Sequence, residues 1–180
     1  MKRYIVTGAP GAGKTSVIRA LEAKGFPVIE EAATDLITLK QVEGIAEPWK
    51  SADFVDVVAG LQKQRQMQTE NLPCPVQFHD RSAICSYALC QYLGHTPSPL
   101  LLEEIDRLKR ENVFQEDVFF IRNLGFCEPT AARKISFEDS LVFERLHIEA
   151  YLSFGYRLVE IKKNPLKMRL REILAHLSKI

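Results

Sequence analysis

The sequence predicts an α/β protein: a parallel sheet of five strands with helices packed on both of its faces. Three observations carry this reading. Short apolar runs alternate with longer stretches of helical periodicity along the chain. The first apolar run leads through a glycine-rich turn directly into a helical stretch. The 180 residues, 46% hydrophobic and 26% charged, suffice for a substantial core. No internal repeat, low-complexity tract or linker divides them, so residues 1–180 are expected to form a single domain.

Tyr4-Ile5-Val6-Thr7 reads as the first strand, followed by the glycine turn and a helix over about 14–24. Gly25 leads into a short second strand, Phe26-Pro27-Val28-Ile29. Helical stretches follow around 32–42 and 53–71, separated by a loop that holds Gly44, Pro48 and the lone Trp49. Pro73 and Pro75 stop the second of these and introduce Val76-Gln77-Phe78-His79 as a third strand. Residues 82–93 and 98–111 are helical in pattern, the latter with Leu101, Ile105 and Leu108 on one face. Val118-Phe119-Phe120-Ile121 is a fourth strand, apolar throughout and hence covered on both sides. A polar segment near 122–136 precedes a helix over 137–154, which Gly155 ends. Arg157-Leu158-Val159-Glu160-Ile161 is the fifth strand. Pro165 opens a last helix with Leu166, Leu170, Ile173, Leu174 and Leu177 as its expected buried stripe. Strands joined by helical crossovers give a three-layer sandwich.

Composition removes several function classes. A net charge of +1 gives no whole-molecule electrostatic case for nucleic acid or an acidic membrane as the main partner. No run approaches the roughly 20 apolar residues of a membrane helix. The N-terminal residues reach Gly8-Ala9-Pro10 before a signal-like apolar stretch can form. Cys74, Cys85, Cys90 and Cys127 make no C-x-x-C pair and the four histidines are scattered, so zinc is not expected. The expectation is a soluble cytoplasmic protein with free thiols.

Gly8-Ala9-Pro10-Gly11-Ala12-Gly13-Lys14-Thr15 fits the phosphate-loop pattern G-x-x-x-x-G-K-[ST] at every fixed position, between a strand and a helix. Its glycines let several backbone N–H groups converge on one phosphate, and the helix N-terminus adds partial positive charge. Residues Gly8, Ala9, Pro10, Gly11, Ala12, Gly13, Lys14, Thr15 and Ser16 are the expected nucleotide-binding set. Lys14 would hold the β- and γ-phosphates, and the Thr15 hydroxyl would be a Mg²⁺ ligand.

Asp80 ends the third strand, at the carboxyl edge of the sheet where ligands bind in open α/β folds. It is a candidate Mg²⁺ ligand, or an N-cap for the helix near Ser82, or both. Arg81 could bind substrate or form a structural ion pair. Glu30 and Glu31 follow the second strand, and Glu31 is the candidate base for a substrate hydroxyl; the alternative is a carboxylate that favours the next helix N-terminus. The polar segment carries Arg122, Arg133 and Lys134 with Gly125, Pro129 and Thr130 between them. Arg133 is the first candidate for a lid arginine that closes over a triphosphate, Arg122 the second; a solvated connection is the alternative. Trp49 could stack on a planar group or serve as core. His79, Cys85 and Cys90 read as packing residues.

With Gly8–Thr15, Glu31-Ala32-Ala33, Asp80-Arg81-Ser82 and the Arg133 segment placed, the chain resembles the nucleoside and nucleotide kinase branch of the P-loop NTPases. Within it the chain is similar to short AAA ATPases related to the ribosylnicotinamide kinase domain of NadR. The resemblance implies strand order 2-3-1-4-5 and adenine near the loop Lys162-Lys163-Asn164-Pro165. Asp80-Arg81-Ser82 is similar to the D/E-R-S or D-R-Y motif of deoxynucleoside and thymidylate kinases, whose acidic residue serves metal or base chemistry and whose arginine helps hold the substrate. Glu31 falls where those kinases carry a glutamate near the phosphoryl acceptor, followed here by Ala32 rather than proline.

The expected activity is Mg-ATP-dependent phosphoryl transfer to a small hydroxyl- or phosphate-bearing acceptor of nucleoside or nucleotide type. Lys14, Glu31, Asp80, Arg81 and Arg133 would be the catalytic set, and ATP and Mg²⁺ the cofactors. Two alternatives stay open: a regulatory ATPase that acts through a protein partner, and a module that binds ATP without turnover. No N-K-x-D follows the fifth strand, which disfavours a GTPase. A hexameric motor with an extra helical domain is disfavoured by length.

Overall fold

The computed structural model describes residues 1–51, 53–126 and 135–178. The strands are β1 (Lys2–Thr7), β2 (Val28–Ile29), β3 (Val76–Asp80), β4 (Asp117–Ile121) and β5 (Arg157–Ile161). The helices are α1 (Lys14–Glu22), α2 (Ala32–Val42), α3 (Phe54–Gln68), α4 (Ala83–Leu93), α5 (Pro99–Arg110), α6 (Phe137–Ser153) and α7 (Leu166–Leu177). All strand pairs are parallel, in the order β2-β3-β1-β4-β5. This is the architecture and the strand order that the sequence implies.

Strand alternation divides the core. Tyr4, Val6, Phe78, Phe119 and Ile121 face one side, where α1 and α7 cover them with Val17, Leu21 and Ile173. Ile5 and Val118 face the other, under α3, α4, α5 and α6. A smaller cluster joins α2 to α3 through Ala32, Phe54 and Val58, with Trp49 packed against it. Serines 82, 98 and 136 cap α4, α5 and α6, each accepting a backbone N–H from the first turn of its helix.

Three elements depart from the sequence pattern. β2 keeps only Val28–Ile29 of the expected four residues, because Pro27 has no N–H to give a ladder. Pro27 still contributes its carbonyl, which accepts from Phe78 N at 3.0 Å. The helix expected over 53–71 ends regular structure at Gln68. In α7, Leu166 is 42% exposed while Arg169 is 3% exposed, so the buried stripe includes a guanidinium that hydrophobicity does not mark.

Every strand runs toward the same edge, and β1 is central there. At the end of β1, Val6 pairs with Asp80 of β3 on one flank and Thr7 with Phe120 of β4 on the other. The next residue, Gly8, has φ 144°, and a Cβ on it would stand 2.3 Å from the carbonyl oxygen of Ile121. The chain can leave the sheet at this point only as glycine. Gly8→Ala is therefore expected to destabilise the protein by about 3 kcal/mol, measured by denaturant unfolding. A loss below about 1 kcal/mol would show that β4 yields to the loop.

Candidate active site at the carboxyl edge of the sheet

The turn after β1 delivers Gly13 in the left-handed region, φ 79°, as the N-cap of α1. No side chain caps this helix, so its first-turn N–H groups remain free for an anion. Lys14, the first helical residue, is buried and folds back so that Nζ donates to the Ala9 carbonyl at 3.4 Å. Burial and the charge of Arg81 lower its pKa to about 8, against the opposing pull of Asp80 and Glu31.

Asp80, Arg81 and Glu31 converge beside this lysine. Arg81 stands at φ 73°, a left-handed conformation that costs a non-glycine residue roughly 1–3 kcal/mol. Its backbone N–H donates to the Val6 carbonyl at 3.0 Å, which fixes the turn. The side chain is held from two sides. Nε lies 2.7 Å from Glu31 Oε1, a close charge contact without an aligned hydrogen bond. Nη1 lies 3.2 Å from His147 Nε2. The other ring nitrogen, Nδ1, is 2.9 Å from the Phe143 carbonyl, which can only accept. Nδ1 therefore carries the proton and Nε2 accepts from Arg81.

Burial would raise the Glu31 carboxyl, but Arg81 and Lys14 outweigh it and hold the group below its ordinary range. Thr34 Oγ1 adds a hydrogen bond to Glu31 Oε2 at 3.3 Å. Glu31 occupies the N-cap position of α2, yet its carboxylate makes no cap bond and turns to the arginine. Asp80 behaves oppositely: burial, with Glu31 adding repulsion, pushes its pKa up to about 6 despite Lys14 and Arg81. Its Oδ1 is buried with no hydrogen-bond partner. The capping role open to Asp80 falls to Ser82, whose Oγ accepts from Ile84 N at 3.3 Å. An unpartnered carboxylate oxygen and the Thr15 hydroxyl are hard oxygen donors that suit Mg²⁺ with phosphate oxygens completing its shell.

A cavity of about 390 Å³ opens from these groups. Pro10, Lys14 and Thr15 form one end, Glu31, Arg81 and Ser86 the middle, and Ile37, Trp49, Phe54, Val58, Leu89 and Phe143 the apolar remainder. Gln62 also lines it, with a buried Oε1 that has no donor. Trp49 both packs on α2 and α3 and faces this space. Cys85 lines it too, its Sγ 3.2 Å from both Thr7 Oγ1 and Tyr151 OH; Cys90 only packs.

The structure thus gathers Lys14, Thr15, Glu31 and Arg81 around one cavity, while Asp80 lines a smaller pocket that shares Gln62, Arg81 and Ser82 with it. Arg122 lies apart, paired with Glu144 at 3.3 Å and with Glu160 at 4.0 Å. Arg133 and Lys134 lie outside the described residues. His79 is packed, Nε2 2.8 Å from Gln77 Oε1 and edge-on to Phe114, and burial holds its pKa near 3. His147 and Gln62 escape sequence reading. One lies on a mixed buried face of α6 with Ser140, Phe143 and Glu144, and the other is one of several glutamines on α3.

Asp80 carries a stability consequence with a definite sign. Its native pKa lies above the ordinary 3.8, so the folded state loses stability as pH rises from about 4 to about 6. Asp80→Asn is expected to melt several degrees higher than wild type above pH 6, with the gap closing toward pH 4. A lower melting temperature for the variant at neutral pH would contradict the burial of an uncompensated carboxylate.

Comparison with known proteins fits this geometry. The deoxyadenosine kinase from M. mycoides, in a structure with the products dCMP and dCDP, is 14% identical with TM-score 0.68. The alignment covers 99% of this chain and 100% of that one. NadR in complex with NAD and AMP-PNP is 16% identical with TM-score 0.71 over 98% of this chain and 49% of its own. NadR in complex with NR gives 16% and 0.71 over 99% and 50%. The chain therefore spans about half the length of NadR. A sequence search of curated proteins finds no match. A family model described as an AAA domain matches residues 3–169. The chain belongs to that AAA domain family, as a P-loop protein of nucleoside-kinase-like fold.

Proposed function

We propose that the protein is a Mg-ATP-dependent phosphotransferase whose acceptor is a small nucleoside-like molecule. One observation carries this reading: Glu31 and Arg81 line the same cavity of about 390 Å³ as Pro10, Lys14 and Thr15 of the phosphate loop, with apolar walls suited to a planar base beside them. The backbone of Gly8–Ser16 and the Lys14 ammonium bind the triphosphate. Thr15 and Asp80 would hold Mg²⁺, which when bound screens charge on the β- and γ-phosphates. Glu31 takes the proton from the acceptor hydroxyl as that oxygen bonds to the γ-phosphorus and the bond to the β-bridging oxygen breaks, releasing ADP. Arg81 fixes the Glu31 carboxylate and faces the acceptor. Arg133 is proposed to cover the γ-phosphate from the lid segment.

The acceptor class follows from the walls. Of the cations that line the cavity among the described residues, Lys14 is assigned to the triphosphate and Arg81 is paired with Glu31. Neither is free for a second phosphate, which favours a nucleoside over a nucleotide. The kinases of similar fold, one named for deoxyadenosine and one solved with NR, support the same class.

ADP release from Mg-ATP, measured with nucleosides, nucleoside monophosphates and ribosylnicotinamide, tests the reading. Stimulation by a nucleoside, with its phosphorylated product found by mass spectrometry, is the expected outcome. Slow turnover indifferent to every compound would replace it with an ATPase that works through a protein partner. Glu31→Gln is expected to lower kcat by about 10²- to 10⁴-fold while ATP affinity changes little. An unchanged kcat would move the base elsewhere.

A further inference from the structure

Arg169 is out of place for a packing residue. It lies in the first turn of α7, on the face that covers the β1 and β4 side of the sheet, and is 3% exposed. Its Nη1 donates to the Ala12 carbonyl at 2.8 Å, joining α7 to the phosphate loop across 157 residues of sequence. A Cβ on Gly13 would come within 3.4 Å of the same nitrogen, so the guanidinium lies directly against the loop. Nε and Nη2 are both buried without an acceptor. Glu172 is the carboxylate whose charge reaches it, and that side chain instead accepts from Asn164 Nδ2 at 2.9 Å. Burial accordingly lowers the Arg169 pKa, with Glu172 only partly opposing.

A covered guanidinium with one hydrogen bond and, among the described residues, no ion pair is costly, because Nε and Nη2 have lost water without gaining an acceptor. The cost is removed if an anion arrives, and the adjoining loop is built to receive one. We propose that Arg169 is a nucleotide-binding residue, whose unpartnered Nε and Nη2 donate to the phosphate chain of a nucleoside triphosphate on the loop. The inference rests on the phosphate-loop reading of Gly8–Thr15 and adds a ligand that no motif marks. The Ala12 bond keeps the loop shaped around the anion, while the other donors add positive charge to that of Lys14.

The test uses the full chain and compares wild type, Arg169→Met and Arg169→Lys. Each is titrated with Mg-ATP, with Mg-tripolyphosphate and with adenosine, and melted without ligand. Methionine matches the length of the side chain without its charge. Arg169→Met is expected to melt no lower than wild type, to bind Mg-ATP and Mg-tripolyphosphate about 10- to 100-fold more weakly, and to bind adenosine unchanged. Arg169→Lys is expected to recover part of the affinity for both phosphates. Equal Mg-ATP affinity in wild type and Arg169→Met overturns the inference and leaves the phosphate loop standing. An equal loss for adenosine overturns it too, by placing Arg169 at the base. If Arg169→Met melts lower, Arg169→Lys decides: a restored melting temperature with wild-type affinity missing for adenosine and phosphates alike makes the residue structural. Wild type that binds neither Mg-ATP nor tripolyphosphate removes the loop reading itself.

Discussion

Four charges in one pocket govern this structure. Lys14, Arg81, Glu31 and Asp80 come from three strand ends and sum to zero when all are ionised, so the pocket tolerates them together where it would reject any one. The balance is uneven. Arg81 and Glu31 neutralise each other's charge at 2.7 Å without an aligned hydrogen bond, whereas Lys14 reaches only a carbonyl and Asp80 Oδ1 has no hydrogen-bond partner among the described residues. The two under-satisfied members are the pair a magnesium-bound triphosphate would complete. Burial shifts their pKa values toward each other, to about 8 for Lys14 and about 6 for Asp80.

The strained turn at Arg81 follows from the same constraint. A left-handed arginine persists because its backbone N–H is bound to β1, its Nη1 to α6, and its charge is paired with the residue that leads into α2. Three elements far apart in sequence thus meet on one residue. His147 is the link to α6, and Phe143, one turn earlier on that helix, both holds His147 and lines the cavity.

Much of this was legible in the sequence because it is written locally. Eight contiguous residues specify the phosphate loop, and apolar runs between turn residues specify five strands whose carboxyl ends must share an edge. Glu31 and Asp80-Arg81 are found by their position at strand ends alone. What sequence hides is whatever periodicity assigns to the wrong face. Leu166 belongs to the apolar pattern of α7 and is exposed; Arg169 does not and is buried, because its partner is a carbonyl in α1's leading loop. His147 and Gln62 fail for the same reason: their importance lies in what they face across the fold.

The two cores explain how one scaffold separates nucleotide from acceptor. The loop, α1 and α7 rest on the cluster built from Tyr4, Val6, Phe78 and Phe119, while the acceptor cavity rests on α3, α4 and α6 across the sheet. Pro10, Lys14 and Thr15 of the loop reach the cavity from the first of these sides. Substitutions at Ile37, Phe54 or Val58 would change the cavity wall without touching the cluster beneath the phosphate loop. The similarity in fold to proteins only 14% to 16% identical is what such a division permits. If the proposed function holds, acceptor identity would be read by Gln62, Trp49 and the apolar residues of α2 and α3 that line the cavity, where shape rather than polar contact would do the selecting.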